Sequence, residues 1–327
     1  MNTDQSVEVI VIGGGAAGLS GALTLARARR SVVVIDSGEP RNAPASGVHG
    51  FLSRDGIPPH DLVARGREEV ARYGGSLVSG RVVSVERLDG RVEVVTEAGE
   101  RYRARRLLVA TGLTDELPEV PGLAERWGRD VLHCPYCHGW EIRDQSLGVL
   151  GTGPMSVHQA LLFRQWTSRV ILFPADRVEV TDDQREQLTA RGIDVVQGAV
   201  AAVEVDEDRL TGIRMASGRV VEVAAVALSP RMRVGKLLSG LGLDPVEHPM
   251  GVGEHIEADA TGRTAVPGVW VAGNATDLTA QVVGATAAGT VSAVAINADL
   301  VAEDTSIAVA TLRRAREDRV RAQAQGR

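Results

Sequence analysis

The sequence predicts an α/β protein with two Rossmann-like domains, and two observations support this prediction. A strand, glycine loop, helix and strand follow one another from Val7, and a second copy of this pattern begins at Ser146. The chain of 327 residues is also about twice the length of an average domain of roughly 150 residues. Its composition, 44% hydrophobic and 24% charged, is typical of a globular protein rather than a disordered or fibrous one.

The first copy carries a complete dinucleotide-binding fingerprint. An apolar run at Val7–Ile12 precedes the loop, and a second apolar run at Ser31–Ile35 ends at Asp36. The loop consists of Gly13, Gly14, Gly15, Ala16, Ala17 and Gly18. Its glycines permit a tight turn, the approach of the backbone to a pyrophosphate, and close packing of the helix on the strand. Phosphates are favoured at the helix N-terminus, and Asp36 can accept hydrogen bonds from ribose hydroxyls.

The second copy is less complete. It predicts strands at Ser146–Leu150 and Arg169–Phe173 with a helix at Val157–Trp166, but Ser156 replaces the third glycine of the loop. Pro154 stands where an early helical residue tolerates proline. Two interpretations remain open: a domain that binds a nicotinamide dinucleotide, or one that keeps the fold without binding a nucleotide.

The remaining segments connect and follow these two units. Alternating patterns predict β-hairpin strands, a glycine turn after a strand, a β-meander, a further strand and turn, and a helix rich in small residues. In that order they are Arg81–Thr96 with Glu100–Val109, Leu108–Gly112, Ala199–Val223, Val266–Asp277 and Gln281–Leu300. The arginine-rich stretch Leu312–Arg327 predicts a solvated helix that fades into a tail rather than a binding arm.

The only two cysteines, Cys134 and Cys137, form a C-x-x-C pair. A disulfide that closes so short a loop would stabilise the fold little, so the pair indicates redox chemistry. The segment from Cys134 to His138 also matches the attachment pattern of c-type haem. Covalent haem attachment demands export, however, and a haem site would leave the two predicted nucleotide folds unexplained. A zinc site that adds His133 and His138 would crowd four ligands into six residues, so no metal is predicted.

Charge and composition argue against other partners. A formal net charge of −6 repels a polyphosphate, and 3% aromatic residues provide few stacking platforms, so nucleic acid is not expected as a partner. We find no run of about 18 apolar residues, as a membrane helix would require. The segment Met1–Ser6 lacks the features of a signal peptide. We therefore expect a cytoplasmic protein that does not enter the membrane.

The combination of motifs resembles the low-molecular-weight thioredoxin reductase family of flavoproteins, from Val9 to about Ala298. The resemblance is carried by Gly13–Gly18, Asp36, Arg41–Pro44, Ala110–Gly112, Gly128–Gly139, Gly151–Gly153 and Gly268–Asn274. It implies a homodimer and an FAD domain split between residues 1–122 and 248–310. Residues 123–247 would form an inserted second domain with the cysteine pair, and residues 311–327 the terminal helix or tail.

The resemblance also implies which residues contact FAD. The Gly13–Gly18 loop and Asp36 would bind its dinucleotide part, and the closing segment near Asn274 would contact the ribityl chain. The other implied FAD contacts are Arg41, Asn42, His49, Ala110, Thr111, Gly112, Gly273, Asp277, Gln281 and Val282. Among these, His49 resembles a position at the edge of the flavin.

Three departures from the reductases indicate a subfamily. Reductases that use NADPH hold its 2′-phosphate with a His-Arg-Arg cluster, but Phe173–Val180 offers only Arg177 beside two acids. His138 replaces an aspartate after the second cysteine, and Asn274 replaces an acid, with Asp277 nearby. In these features the chain resembles the disulfide-forming dithiol oxidases of natural-product pathways, and the holomycin type most closely.

This resemblance implies a small-molecule dithiol as substrate and O₂ as electron acceptor, with H₂O₂ as product. A substrate thiolate would attack Cys134, and Cys137, nearer the flavin, would pass the electrons on. His138 is the expected base because histidine titrates near neutrality, with Glu141 to orient it and His133 as an alternative. Two other functions fit the same residues: an NADPH-dependent thioredoxin reductase and a flavin-binding redox sensor.

Overall fold

The computed structural model describes residues 5–88 and 90–325 and shows two α/β bodies joined by a pair of short strands. The strands in chain order are β1 Gln5–Ile12, β2 Val32–Asp36, β3 Ser76–Ser79, β4 Val82–Leu88, β5 Arg91–Thr96, β6 Arg101–Val109, β7 Thr114–Glu116, β8 Val131–Leu132, β9 Leu147–Leu150, β10 Val170–Phe173, β11 Asp194–Val195, β12 Val200–Asp206, β13 Arg209–Met215, β14 Val220–Glu222, β15 Ala225–Ala227, β16 Arg231–Arg233, β17 Val246–Glu247, β18 Glu254–His255 and β19 Val269–Val271. The α-helices are α1 Ala16–Arg27, α2 Pro59–Arg72, α3 Pro135–His138, α4 Ser156–Phe163, α5 Asp182–Ala190 and α6 Val282–Gln325.

The first body is built on a sheet whose central strand, β1, runs parallel to both of its neighbours, β2 and β6. β3 extends the sheet beyond β2, β19 pairs with β6, and β4, β5 and β6 form the predicted antiparallel hairpins. Ile10 and Ile12 face one apolar core, whereas Val9 and Val11 face another that includes α1 and α6. Burial on both faces explains why β1 shows a continuous apolar run rather than alternation.

The second body repeats this plan with the parallel strand order β11-β10-β9-β15-β8. An antiparallel meander of β12, β13 and β14 packs beside it, in the region where the sequence predicted one. The helix of this copy is shorter than predicted, since α4 ends at Phe163 and a turn follows up to Trp166. The α/β class with parallel, Rossmann-type sheets is confirmed.

Two strands, β7 and β16, form the antiparallel connection between the bodies. After β16 the chain packs at once into the first body's core through Met232, Val234 and Leu238. The return to the first body thus comes earlier than the boundary predicted at residue 247. The signal for this return is weak, because the returning segment forms a short 3₁₀ helix, Lys236–Leu241, rather than a long periodic element.

The last helix, α6, is much longer than the predicted Gln281–Leu300 and runs without a break to Gln325. Neither glycine nor proline occurs between residues 290 and 325, so nothing in the sequence ends the helix at Leu300. The arginine-rich stretch is helical and exposed through Arg321, as expected of a solvated helix, and residues 326–327 of the predicted tail lie outside the described residues.

The same helix bears on the expectation that no segment could span a membrane. By length and composition alone α6 passes that criterion, with a window of 18 residues whose mean hydropathy is 1.3. That window mixes valine and alanine with polar residues, so it does not meet the criterion of an unbroken apolar run of about 18 residues. One third of it is buried inside the protein.

Helices α1 and α6 approach closely at Gly289. A Cβ atom at this position would lie 1.9 Å from the carbonyl oxygen of Ala17 and 2.7 Å from its carbonyl carbon. Backbone atoms cannot yield as the end of a flexible side chain can. The contact therefore demands glycine, and it fixes the distance of α6 from the helix that starts at the glycine loop.

We predict that Gly289→Ala lowers the free energy of unfolding by about 1–3 kcal/mol, the usual cost of overpacking. The measurement is the urea midpoint of the full chain. Gly284→Ala on the same helix is the matched control, since its Cβ would meet only the Ala280 Cβ at 3.6 Å. That control is expected to gain up to about 1 kcal/mol from helix propensity. Equal midpoints for the two variants would contradict the proposed close contact.

Candidate active site

One large cavity lies between the two bodies and collects most of the predicted site residues. Its volume of about 1660 Å³ exceeds the roughly 300–1,000 Å³ of an ordinary small-molecule pocket, so a dinucleotide and a second ligand fit together. The predicted residues that line it are Gly13, Gly14, Gly15, Ala16, Ala17, Asp36, Arg41, Asn42, His49, Ala110, Thr111, Gly112, Cys134, Cys137, His138, Gly273, Asn274, Gln281 and Val282.

The first glycine loop leaves an open helix N-terminus in this cavity. Helix α1 starts at Ala16, and its N-cap, Gly15, has no side chain to satisfy the first amide groups. A Cβ atom at Gly15 would meet nothing within 4 Å, so there is free space in front of these donors. Such a site attracts a phosphate. The loop therefore fits the pyrophosphate of FAD.

Gly18 does not line the cavity and serves the packing behind the loop. A Cβ atom at Gly18 would lie 1.9 Å from the carbonyl oxygen of Gly13, so only glycine permits α1 to start so near β1. This is the role of the third glycine in a dinucleotide fingerprint.

Asp36 lies at the end of β2 and lines the cavity beside the loop. Its Oδ1 accepts a hydrogen bond from the Gly14 amide at 2.9 Å, and its Oδ2 pairs with Arg67 on α2. Arg67 also lines the cavity, and its buried Nε has no hydrogen-bond partner among the described residues. An acceptor on the adenosine side of FAD would fit there. Arg67 was missed because no sequence motif connects it with Asp36.

The closing turn before α6 uses its polar side chains in two ways. The Asn274 amide donates to the carbonyl oxygens of Asp277 and Ala280, at 3.0 and 2.9 Å, and Asn274 lines the cavity. Asp277, predicted as an FAD contact, does not line the cavity. Its Oδ1 accepts hydrogen bonds from the backbone amide and the hydroxyl of Thr279. Asp277 thus shapes the turn that carries Asn274.

The cysteine pair is half-buried and lies at the start of the short helix α3. The Cys137 thiol donates a hydrogen bond to the Cys134 sulfur, and the backbone amides of Cys137 and Tyr136 add to it. These bonds lower the pKa of Cys134 to about 7, against the opposing effect of burial. The same thiol contact, together with burial, raises the pKa of Cys137. Cys134 is therefore the cysteine of the reduced pair that ionises more readily near neutral pH.

A partly buried ion pair supplies a positive charge that acts on these sulfurs. Arg41 binds Asp115 of β7 with two hydrogen bonds, Nε to Oδ2 at 2.8 Å and Nη2 to Oδ1 at 2.6 Å. The Asp115 side chain is only 8% exposed, so the pair is firmly held on the connection between the bodies. The Arg41 charge lowers the pKa values of Cys134, Cys137 and His133. Arg41, expected as an FAD contact, thus also acts on the redox pair.

The candidate bases differ in their surroundings. Burial lowers the pKa of His138, and the Glu141 carboxylate opposes that effect, so the imidazole is neutral at pH 7. Burial and then the Arg41 charge lower the pKa of His133, whose Nδ1 lies 3.2 Å from the Leu228 carbonyl oxygen. That nitrogen must carry the proton to donate to a carbonyl. Both histidines line the cavity beside the cysteines.

Glu141 itself does not line the cavity but connects the two bodies. Its Oε1 lies 3.4 Å from Nε2 of His49, whose Nδ1 is 3.5 Å from Oδ1 of Asp55. His49 belongs to the first body, whereas Glu141 follows helix α3 of the second body. The predicted flavin-edge histidine therefore lies in the cavity and faces the carboxylate that influences His138.

The second glycine loop is closed by its own serine. Helix α4 starts only at Ser156, three residues after Gly153, whereas α1 starts directly after Gly15. The Ser156 hydroxyl, fully buried, accepts hydrogen bonds from the amides of Thr152 and Gly153 at 3.1 and 3.3 Å. The amides that would face a pyrophosphate are thus already bonded. This favours the interpretation of a domain that keeps the fold without binding a nucleotide.

The comparisons with known proteins agree with this site. The sequence model of the pyridine nucleotide-disulphide oxidoreductase family matches residues 7–289. The chain belongs to this family. It is 30% identical to thioredoxin reductase sirT of Leptosphaeria maculans over 91% of this chain and 95% of that protein. It is 39% identical to thioredoxin reductase tcpT of Claviceps purpurea, but over only 53% of this chain and 57% of the relative.

Solved structures extend the similarity to the whole fold. The crystal structure of HlmI superposes with a TM-score of 0.90 at 46% identity and covers 96% of this chain and 99% of that one. An oxidoreductase from Agrobacterium tumefaciens gives a TM-score of 0.86 at 35% identity, over 91% and 99% of the chains. The predicted thioredoxin reductase-like fold is confirmed, and the protein is an oxidoreductase of a family of flavoproteins.

We predict that Arg41→Met raises the pKa of Cys134 above about 7, because a positive charge that lowers this pKa is lost. In the reduced enzyme, alkylation of Cys134 by iodoacetamide at pH 6.5 should slow by roughly two- to tenfold, where tenfold corresponds to one pKa unit. Peptide mass spectrometry across pH 5–10 measures the profile. Arg54→Met is the control, since Arg54 is exposed and donates to the Ser53 carbonyl. An unchanged profile for Arg41→Met would refute the electrostatic role.

Proposed function

We propose that the protein is an FAD-dependent dithiol oxidase that closes a disulfide in a small-molecule dithiol, with O₂ as electron acceptor. The contrast between the two glycine loops carries this proposal. The open loop at Gly15 lines the same cavity as Cys134 and Cys137. In the second loop, by contrast, the amides of Thr152 and Gly153 already donate hydrogen bonds to the Ser156 hydroxyl. Thiols and a flavin thus have a common site, and NADPH has no comparable one.

The residues of the chain can carry out the thiol chemistry in two exchanges. His138 accepts the proton of a substrate thiol, and the thiolate attacks Cys134 in the Cys134–Cys137 disulfide, releasing the Cys137 thiolate. The second substrate thiol then attacks the substrate sulfur of this mixed disulfide, which forms the product disulfide and releases the Cys134 thiolate. The low pKa of Cys134 makes it a good leaving group in this step.

Bound FAD would take the two electrons from the cysteine pair and transfer them to O₂, which becomes H₂O₂ with the two protons of the substrate. The Gly13–Ala17 segment, Asp36 and Asn274 would hold it in the cavity that the cysteines line. The net reaction consumes one dithiol and one O₂ and yields one disulfide and one H₂O₂. We also propose a cytoplasmic location, since both cysteines serve redox chemistry rather than a structural disulfide.

A second candidate is an NADPH-dependent thioredoxin reductase, which the names of sirT and tcpT favour. Such an enzyme must bind NADPH in the second body. The amides at Thr152 and Gly153 are occupied there, and the stretch after β10 offers Arg177 beside two acids. These two features weigh against the reductase.

Oxygen consumption tests the proposal directly. We expect the FAD-loaded enzyme to consume O₂ with a panel of small dithiols, form one H₂O₂ per dithiol, and show no dependence on NADPH. Cys134→Ser and Cys137→Ser should each reduce turnover by at least about 100-fold, because either change removes the exchangeable disulfide. Rapid anaerobic bleaching of the flavin by NADPH would instead establish the reductase.

The role of His138 gives a pH-dependent prediction. His138→Gln should lower turnover at pH 7 by about 100-fold, the lower range for general bases, and less as pH rises past 8.5, where substrate thiols ionise unaided. In the native enzyme the acid limb of the profile should lie below pH 6.5, because the pKa of His138 is lowered. His248→Gln, outside the cavity, is the control. A loss that is equal at every pH would indicate a structural role.

A further inference from the structure

One buried side chain beside the cysteine pair has a hydrogen-bonding atom that the fold does not use. Gln159 lies on α4, lines the cavity and is only 6% exposed. Its Nε2 donates a hydrogen bond to the carbonyl oxygen of His133 at 2.8 Å. Its Oε1 is buried and has no hydrogen-bond partner among the described residues. A buried carbonyl oxygen without a donor costs free energy, so this atom requires a partner from outside the chain.

The orientation of the Gln159 amide is fixed by its one hydrogen bond. Its nitrogen must face the His133 carbonyl, because only the NH₂ group of a glutamine amide can donate. Exchange of the two ends of the amide would set Oε1 against the His133 oxygen, with two acceptors in contact. The unpaired atom is therefore an acceptor oxygen, and the group that it lacks is a donor.

This acceptor lies close to the cysteine that the substrate attacks. The His133 carbonyl belongs to the peptide bond between His133 and Cys134, so Gln159 is bonded to the peptide group next to the Cys134 side chain. The other end of the redox segment also contacts α4. A Cβ atom at Gly139 would lie 2.7 Å from Cδ2 of Trp166, which follows that helix. Gln159 and Cys134 thus hold a fixed relative position within the second body.

The wall of the cavity around Gln159 has no acidic or basic side chain other than histidine. Among the described residues, every aspartate, glutamate and arginine that lines the cavity belongs to the first body, and none lies between residues 123 and 229. Tyr136, Met155 and Leu162 give the wall of the second body an apolar surface. A charged substituent would find no partner of opposite charge there, whereas a neutral amide can use both the apolar surface and the acceptor.

We propose that Gln159 is a specificity-determining residue whose Oε1 accepts a hydrogen bond from an N–H group of the dithiol substrate. The inference rests on the proposed oxidase activity and narrows its substrates to uncharged dithiols with an amide N–H near one sulfur. When the substrate thiolate attacks Cys134 and releases the Cys137 thiolate, this N–H comes beside the peptide group to which Gln159 is bonded. The contact orients the substrate for the attack of its second thiol on the mixed disulfide.

A matched pair of dithiols isolates this hydrogen bond. N,N′-bis(mercaptoacetyl)hydrazine carries amide N–H groups, and its N,N′-dimethyl analogue has N–CH₃ in their place. The kcat/KM for O₂ uptake with the first compound is divided by the value for the second, in the native enzyme and in Gln159→Met. The intrinsic reactivity of the thiols cancels when the two ratios are compared. We expect the native ratio to exceed the Gln159→Met ratio about two- to tenfold, as for the loss of one hydrogen bond.

Methionine is the informative replacement, because it is about as long as glutamine but its sulfur is only a weak acceptor. A preference caused by steric exclusion of the methyl groups would persist in Gln159→Met. Equal ratios in the native enzyme and in Gln159→Met would therefore overturn the proposal. Gln187→Met is the matched control, since Gln187 is exposed on α5 and does not line the cavity. It should keep the native ratio.

Binding tests the inference separately from the proposed activity. In the FAD-loaded Cys134→Ser, Cys137→Ser protein, calorimetric titration gives the Kd of each hydrazine with and without Gln159→Met. We expect the N–H compound to bind about two- to tenfold more tightly than the N–CH₃ compound, and Gln159→Met to abolish this difference. The same difference without any O₂ uptake by the native enzyme would contradict the oxidase and support the role of Gln159. Equal affinities, or no binding of either compound, would overturn that role.

Discussion

The amide groups of a glycine loop need an acceptor, and this need distinguishes the two halves of the protein. In the first body, Gly15 provides no side chain, so the first amides of α1 face open space that a phosphate can fill. In the second body, the Ser156 hydroxyl accepts from the loop amides of Thr152 and Gly153, before α4 begins. One supersecondary unit is therefore built twice, once with open amides and once with loop amides that are bonded within the chain.

The closed turn has a consequence for the direction of electron flow. An enzyme with two open loops can receive electrons from a nicotinamide and deliver them to a disulfide. In the proposed oxidase, the closed loop leaves the flavin as the redox partner of the cysteine pair, and thiols are the electron source. The Arg41–Asp115 pair suits this direction, because its positive charge adds to the Cys137 hydrogen bond in stabilising the Cys134 thiolate that the second exchange releases.

The parts of this structure that the sequence predicts are the ones in which the signal is local. Strand, loop and helix succeed one another within about thirty residues in each copy, so β1, α1, β2, β9 and β10 are recognisable from periodicity and glycine spacing. The C-x-x-C pair and His138 are recognisable for the same reason, because they are adjacent in the sequence. The side-chain contacts that shape the site, such as the Arg67–Asp36 ion pair and the contact of His49 with Glu141, join distant segments and leave no periodic pattern in the sequence. The predicted end of α6 at Leu300 is too early because packing on the first body ends near Asp304, whereas the helical composition of the sequence continues.

Helix α6 links the candidate site to the rest of the first body through a single continuous helix. Its first residue, Val282, lines the cavity, Gly289 fixes its distance from α1, and Asp304 is the last point at which it is held to the body. The cavity lies between the two bodies at the start of this helix, so the close contact at Gly289 also sets where the Val282 end of α6 lies in the cavity wall.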